Sequence, residues 1–138
     1  MSASRIGLDP EFAKKLVIFE KKLADHSIKV VLTWGHRSIE SQNGLYAKGR
    51  TAPGSIVTNA RGGYSWHNFG LAADYAFIID GKVTWNGPWD LFGKIARLCG
   101  LEWGGDWKKF TDRPHVQMTK GRTLAQMRAA ASAKVARK

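Results

Sequence analysis

A chain of 138 residues, 43% of them hydrophobic, suits one domain built on one core. Its single cysteine, Cys99, excludes an intramolecular disulfide and a cysteine-based zinc site, and no apolar run approaches the ~20 residues of a membrane span. The net charge of +11 favours a polyanionic partner. Nucleic acid, an anionic membrane surface and an anionic wall polymer are equivalent by charge alone.

In chain order, the opening MSASRIGLDPEF lacks the charged, apolar, small-residue order of a signal peptide, so synthesis in the cytoplasm is expected. Asp9-Pro10 before EFAKKLVIFEKKLAD predicts a helix capped by Asp9, with Phe12, Leu16, Phe19 and Leu23 on its apolar stripe. His26 follows in a polar, solvated turn. IKVVLTWG, Ile28–Gly35, is β-branched and short and predicts a strand. SIESQNGLYAKG predicts a short helix ending at Gly49, and RTAPGSIVTNARGGY a loop. LAADYAFIID and VTWN predict two strands joined by a turn at Asp80-Gly81. PWDLFGKIARLCG predicts an amphipathic helix stopped by Gly100, with Cys99 as a small buried apolar residue. PHVQM predicts a last strand. In TLAQMRAAASAKVARK, Leu124, Met127, Ala131 and Val135 recur at helical spacing. The elements neither alternate strictly nor repeat. They predict a compact α+β domain with a small, mostly antiparallel sheet and flanking helices.

The charge is uneven. Residues 119–138 hold six basic residues (Lys120, Arg122, Arg128, Lys134, Arg137, Lys138) and no acidic one. This segment reads either as a basic amphipathic tail for anionic wall polymer or outer-membrane lipid, or as a short helix capping the domain.

Chemistry concentrates in SWHNFGLAAD, Ser65–Asp74, which sets His67 and Asp74 seven residues apart among small and apolar neighbours. His26, His36 and His115 could complete the set. His115 stands in FTDRPHVQM, three residues after Asp112. A hydrolytic zinc site takes three protein ligands and leaves one position for water. The metal brings the pKa of that water down to ~7, and an unligated carboxylate must accept its proton. His67, Asp74 and His115 suit the ligand roles and Asp112 the base. Gly70, Ala72 and Ala73 keep the ligand-bearing segment slim. Taken singly, His67 reads equally as a hydrogen-bonded structural histidine, and Asp112 as a turn residue before Pro114.

In order along the chain, three segments resemble one family. SWHNFGLAAD is similar to the Ser-x-His-x-x-Gly-x-Ala-x-Asp pattern of the zinc D-alanyl-D-alanine carboxypeptidase and L-alanyl-D-glutamate peptidase superfamily. EWGGDWKKFTDRPHVQM resembles the second motif of the L-alanyl-D-glutamate branch, with Asp-x-x-His where the carboxypeptidase branch generally has Glu-x-x-His. TWGHRSIESQNGLYAKGRT is similar to the family's N-terminal segment, with His36 in place of an aromatic residue. The resemblance runs from about Val31 to Met118.

It implies a D-Ala-D-Ala carboxypeptidase/hedgehog-like fold with a zinc cleft. Residues 1–118 would be the catalytic domain, and 119–138 a basic tail that is part of it or packed on it. It implies one Zn2+ per chain on His67, Asp74 and His115, with Asp112 as general base and Arg37 holding the oxyanion. Ser65 would touch the substrate or support the ligands. Asp106 would hydrogen-bond the free nitrogen of a zinc-bound histidine, or serve only as a turn residue. Trp66, Trp103 and Trp107 would wall the cleft or fill the core, and His36 would line the groove. The implied activity is cleavage of peptidoglycan stems between L-alanine and D-glutamate by a monomer, as in phage endolysins. Such a protein reaches the wall once a holin opens the membrane. The alternatives are a D,D-carboxypeptidase, a basic nucleic-acid-binding domain and a wall-binding module with structural zinc. The nucleic-acid reading leaves the ordered His and Asp set unexplained. The wall-binding reading leaves Asp112 without a purpose.

Overall fold

The helix signal after Asp9 is realised as α1, Pro10–Asp25, where the Asp9 carboxylate accepts the Phe12 N–H at 3.1 Å. This is a computed structural model, and it describes residues 2–136. Phe12, Leu16, Phe19 and Leu23 are fully buried along one face of α1. Each such side chain contributes about 1.5–3 kcal/mol on burial. The chain leaves the helix through Ser27 at φ 60, with the Ile28 N–H bonded back to Leu23 O at 2.9 Å. That closing bond takes Ile28 out of the predicted strand, and β1 spans Val30–Trp34.

The sheet is completed by β2 (Ala72–Ile79), β3 (Lys82–Thr84), β4 (Glu102–Trp103) and β5 (His115–Gln117). Its order is β1-β2-β5-β4, with β3 also pairing β2, and every strand pairing is antiparallel. Helices α2 (Ile39–Ala47), α3 (Trp89–Leu98) and α4 (Leu124–Ala136) complete the domain. Three short elements escape the periodicity reading: β4, and 3-10 turns at Trp66–Phe69 and Gly104–Asp106. Each is too short to show a repeat.

Alternation along β2 sends Ala73, Tyr75 and Phe77 into the core with Phe19 and Phe92, whose rings meet edge to face. Asp74 therefore faces the opposite side. In register, Asp74 sits across from His115 on β5 and Trp34 on β1, so one pleat presents all three together.

Trp103 belongs to the core rather than to a cleft wall. It is buried under Gly93 and Gly105, where any Cβ would collide with its indole, and its Nε1 donates to Arg113 O at 2.7 Å. Cys99 is half-buried at the end of α3. In α4, Thr123 and Gln126 cap the N-terminus reciprocally. Leu124 and Met127 are half-buried and Ala131 is exposed, so among the described side chains the first turns lie on the domain. The side chains of Lys134 and Val135 and the residues Arg137 and Lys138 lie outside the described part.

Candidate metal centre and cleft

His67 stands on the 3-10 turn. Ser65 caps this turn by accepting the His67 N–H at 3.3 Å. Asn68 braces the same turn from both sides: its Oδ1 accepts from Gly63 N and Ser65 N, and its Nδ2 donates to Arg37 O. Gly70 ends the turn at φ 70, and a Cβ there would lie 2.2 Å from Gly7 O. Only glycine fits that combination of backbone angle and contact.

The two imidazoles are oriented from behind. His67 Nδ1 donates to Gly35 O at 2.8 Å, which leaves Nε2 facing Asp74 Oδ1 at 3.3 Å. His115 Nε2 donates to Gln117 Oε1 at 2.7 Å, which leaves Nδ1 facing the same Oδ1 at 3.0 Å. The donor atoms of His67, Asp74 and His115 all lie within 4.8 Å of one another. Ligands on a tetrahedral zinc at about 2.0–2.1 Å stand about 3.3 Å apart, so the spacing fits a small cation. Burial raises the Asp74 carboxyl pKa, but the hydrogen bonds to His115 and His67 outweigh it and hold the group well below the usual carboxylate range. Burial lowers the His115 pKa, and the Asp74 hydrogen bond more than reverses this. The cluster is thus a carboxylate between two imidazoles.

Gln117 was not among the expected residues, and it holds the place proposed for Asp106. Asp106 instead pairs with Arg97 at 2.9 Å on the surface and touches neither histidine. The signal for Gln117 was present in PHVQM: in a strand, two residues past His115 is the same face.

Asp112 is half-exposed beside the cluster, its Oδ2 3.8 Å from His115 Nδ1. Burial first, and then the negative Asp74, push its carboxyl above the ordinary value. Across the cleft, Arg37 lies over the Trp34 ring at 4.2 Å and donates from Nη1 to Gln42 Oε1 at 2.8 Å. Its Nε is buried with no hydrogen-bond partner among the described residues. Burial lowers the Arg37 pKa, and Asp74 and Asp112 oppose that. Gln42 is also unexpected. It is the one buried residue of α2, fully enclosed, and it reaches Ala60 O at 2.6 Å as well as Arg37.

These groups line a cleft of about 770 Å³. Residues 57–60 and 64–67 line it, together with Trp107, Phe110, Thr111 and Asp112. Trp66 and Trp107 line it, the latter 5.2 Å from the His115 ring. Ser65 lines it as well as capping the turn. His36 does neither of the things expected of it: it packs against Gly7, away from the cleft. His26 is exposed, and its Nδ1 donates to Lys22 O of α1.

The chain belongs to the D-alanyl-D-alanine carboxypeptidase family, whose sequence profile matches residues 5–84; a second profile of the same description matches residues 58–118. The chain is 48% identical over 106 residues to the peptidoglycan L-alanyl-D-glutamate endopeptidase CwlK of Bacillus subtilis, covering 69% of this chain and 64% of the relative. It is 39% identical over 57 residues to the L-alanyl-D-glutamate peptidase of Listeria phage A118, covering 38% of this chain and 20% of the relative. The fold is that of the Serratia marcescens L-Ala D-Glu endopeptidase ChiX, with a TM-score of 0.59, 27% identity and 83% of each chain covered.

Proposed function

We propose that this chain is a zinc peptidase that hydrolyses the L-alanyl-D-glutamate bond of peptidoglycan stem peptides, acting as a phage endolysin. The observation that carries the reading is one cleft holding a three-donor cluster, an unligated carboxylate and a fixed guanidinium. His67 Nε2, Asp74 and His115 Nδ1 would hold the ion. When bound, zinc supplies a Lewis acid and a water ionised near neutral pH.

The chain's own residues do the rest. Gly35 O and Gln117 fix the two ring tautomers. Asp112 accepts the water proton and returns it to the leaving amine. Its raised affinity for protons suits that shuttle. Arg37, clamped by Gln42 and stacked on Trp34, presents a fixed charge to the oxygen that becomes negative. The resemblance to CwlK and ChiX supports the L-alanyl-D-glutamate bond, and the phage relative supports the setting in host lysis.

The test is mass spectrometry of purified peptidoglycan after digestion. Stems cut between L-alanine and D-glutamate are expected, with cleavage lost on chelation and restored by zinc. Release of free D-alanine alone would assign a D,D-carboxypeptidase instead. For the lytic setting, cytoplasmic expression should lyse cells only when the inner membrane is opened.

A further inference from the structure

Tyr64 forms part of the cleft wall, and two arginines from distant parts of the chain converge on its ring. The Arg61 guanidinium lies 4.3 Å from the ring centroid, and its Nη2 donates to the Tyr64 hydroxyl at 2.8 Å. Arg128, from α4, lies 3.8 Å from the same centroid, and its Nη1 donates to Gly63 O at 3.1 Å. Gly63 sits at φ 83, and a Cβ there would approach Arg128 Cδ at 3.3 Å, so the glycine leaves the arginine its berth.

Neither guanidinium has a carboxylate within ion-pair distance among the described residues. Each uses one N–H donor on the protein, and the remaining donors stay open. Arg50, which likewise stacks on a tyrosine, is more fully engaged, by Tyr46 O and Thr58 O. Two unneutralised cations held on one aromatic ring at a cleft wall form a preorganised receptor for a carboxylate.

We infer that Arg61, Tyr64 and Arg128 form a carboxylate-binding subsite that engages an acidic group of the stem peptide beside the reacting bond. The inference rests on the proposed peptidase reading. It also gives α4 a purpose distinct from a wall-binding tail: its Arg128 stacks on a tyrosine that lines the cleft.

The experiment compares two soluble stem peptides, one with a free glutamate α-carboxylate and one with that group amidated, with the peptide's C-terminal carboxylate left free or amidated as a second pair. The wild type, Arg61→Gln, Arg128→Gln and the double variant are assayed as zinc-loaded full chains. The wild type should show a KM about tenfold lower for a free carboxylate in at least one pair, as expected for a charge-assisted bond, with kcat little changed. The double variant should lose that preference, and added salt should shrink it in the wild type. Each variant is its own control, because damaged folding would slow acid and amide alike. A preference that survives in the double variant, or its absence from the wild type, overturns the subsite. A wild type that cleaves none of these peptides overturns the peptidase reading instead.

Discussion

At the residue scale, the cluster is held by partners that carry no charge. His67 is oriented by a backbone carbonyl and His115 by the Gln117 amide, and the anion in contact with both rings is Asp74. Asp112 stands apart at 3.8 Å, beyond hydrogen-bond reach of His115, and its carboxylate has no hydrogen-bond partner among the described residues that would hold it. Asp112→Asn should therefore keep zinc and fold and lose about 10²–10⁴-fold in turnover, since an amide cannot take the proton. Metal analysis beside single-turnover kinetics checks both halves, and near-normal hydrolysis by the zinc-loaded variant would remove Asp112 as the base. Arg37→Lys should be far less active at similar thermal stability. Lys offers a point charge where Arg holds Gln42 and stacks on Trp34 at once. Full activity in the lysine variant would reduce the role of Arg37 to generic charge.

At the element scale, the 3-10 turn is where sequence and site meet. It places His67, and both its ends are fixed from outside: Asn68 ties it to Arg37 O, and Gly70 O accepts the Asp9 N–H at 2.9 Å. The N-terminus of α1 and the metal-binding turn are thus one joint. Gly70→Ala puts a methyl group against Gly7 O and strains a left-handed backbone. It should cost about 1–3 kcal/mol of stability and lower zinc affinity with it. Denaturant unfolding and metal titration measure the two effects, and an unchanged midpoint would show that the joint yields freely. Helix α2 makes the complementary point. Its pattern is not amphipathic because its one buried residue, Gln42, is polar, and that residue serves the cleft.

At the scale of the whole molecule, the three donors come from the 3-10 turn, β2 and β5, segments up to 48 residues apart in sequence. Metal binding should therefore stabilise the domain as a unit. At a zinc concentration about 1,000 times Kd the linkage amounts to about 4 kcal/mol, so chelation should lower Tm by roughly 10–20 °C. His67→Ala, Asp74→Ala and His115→Ala should each abolish that zinc-dependent shift along with bound zinc. A variant that retains both is not missing a ligand.

The sequence by itself determined the α1 cap and stripe, the β2–β3 hairpin, α3 and the α+β class, because these rest on local periodicity and turn chemistry. Its ordered motifs also carried His67, Asp74, His115, Asp112 and Arg37 to the candidate site. Only the tertiary structure decided that Trp103 fills the core, that Asp106 pairs with Arg97, and that His36 packs on Gly7. It alone brought Gln42 to Arg37 and Arg128 to Tyr64. The reason is physical. A tryptophan or an aspartate has the same local signature in a core, a turn or a cleft, and its role is set by which distant atoms the register and packing bring within a few ångströms.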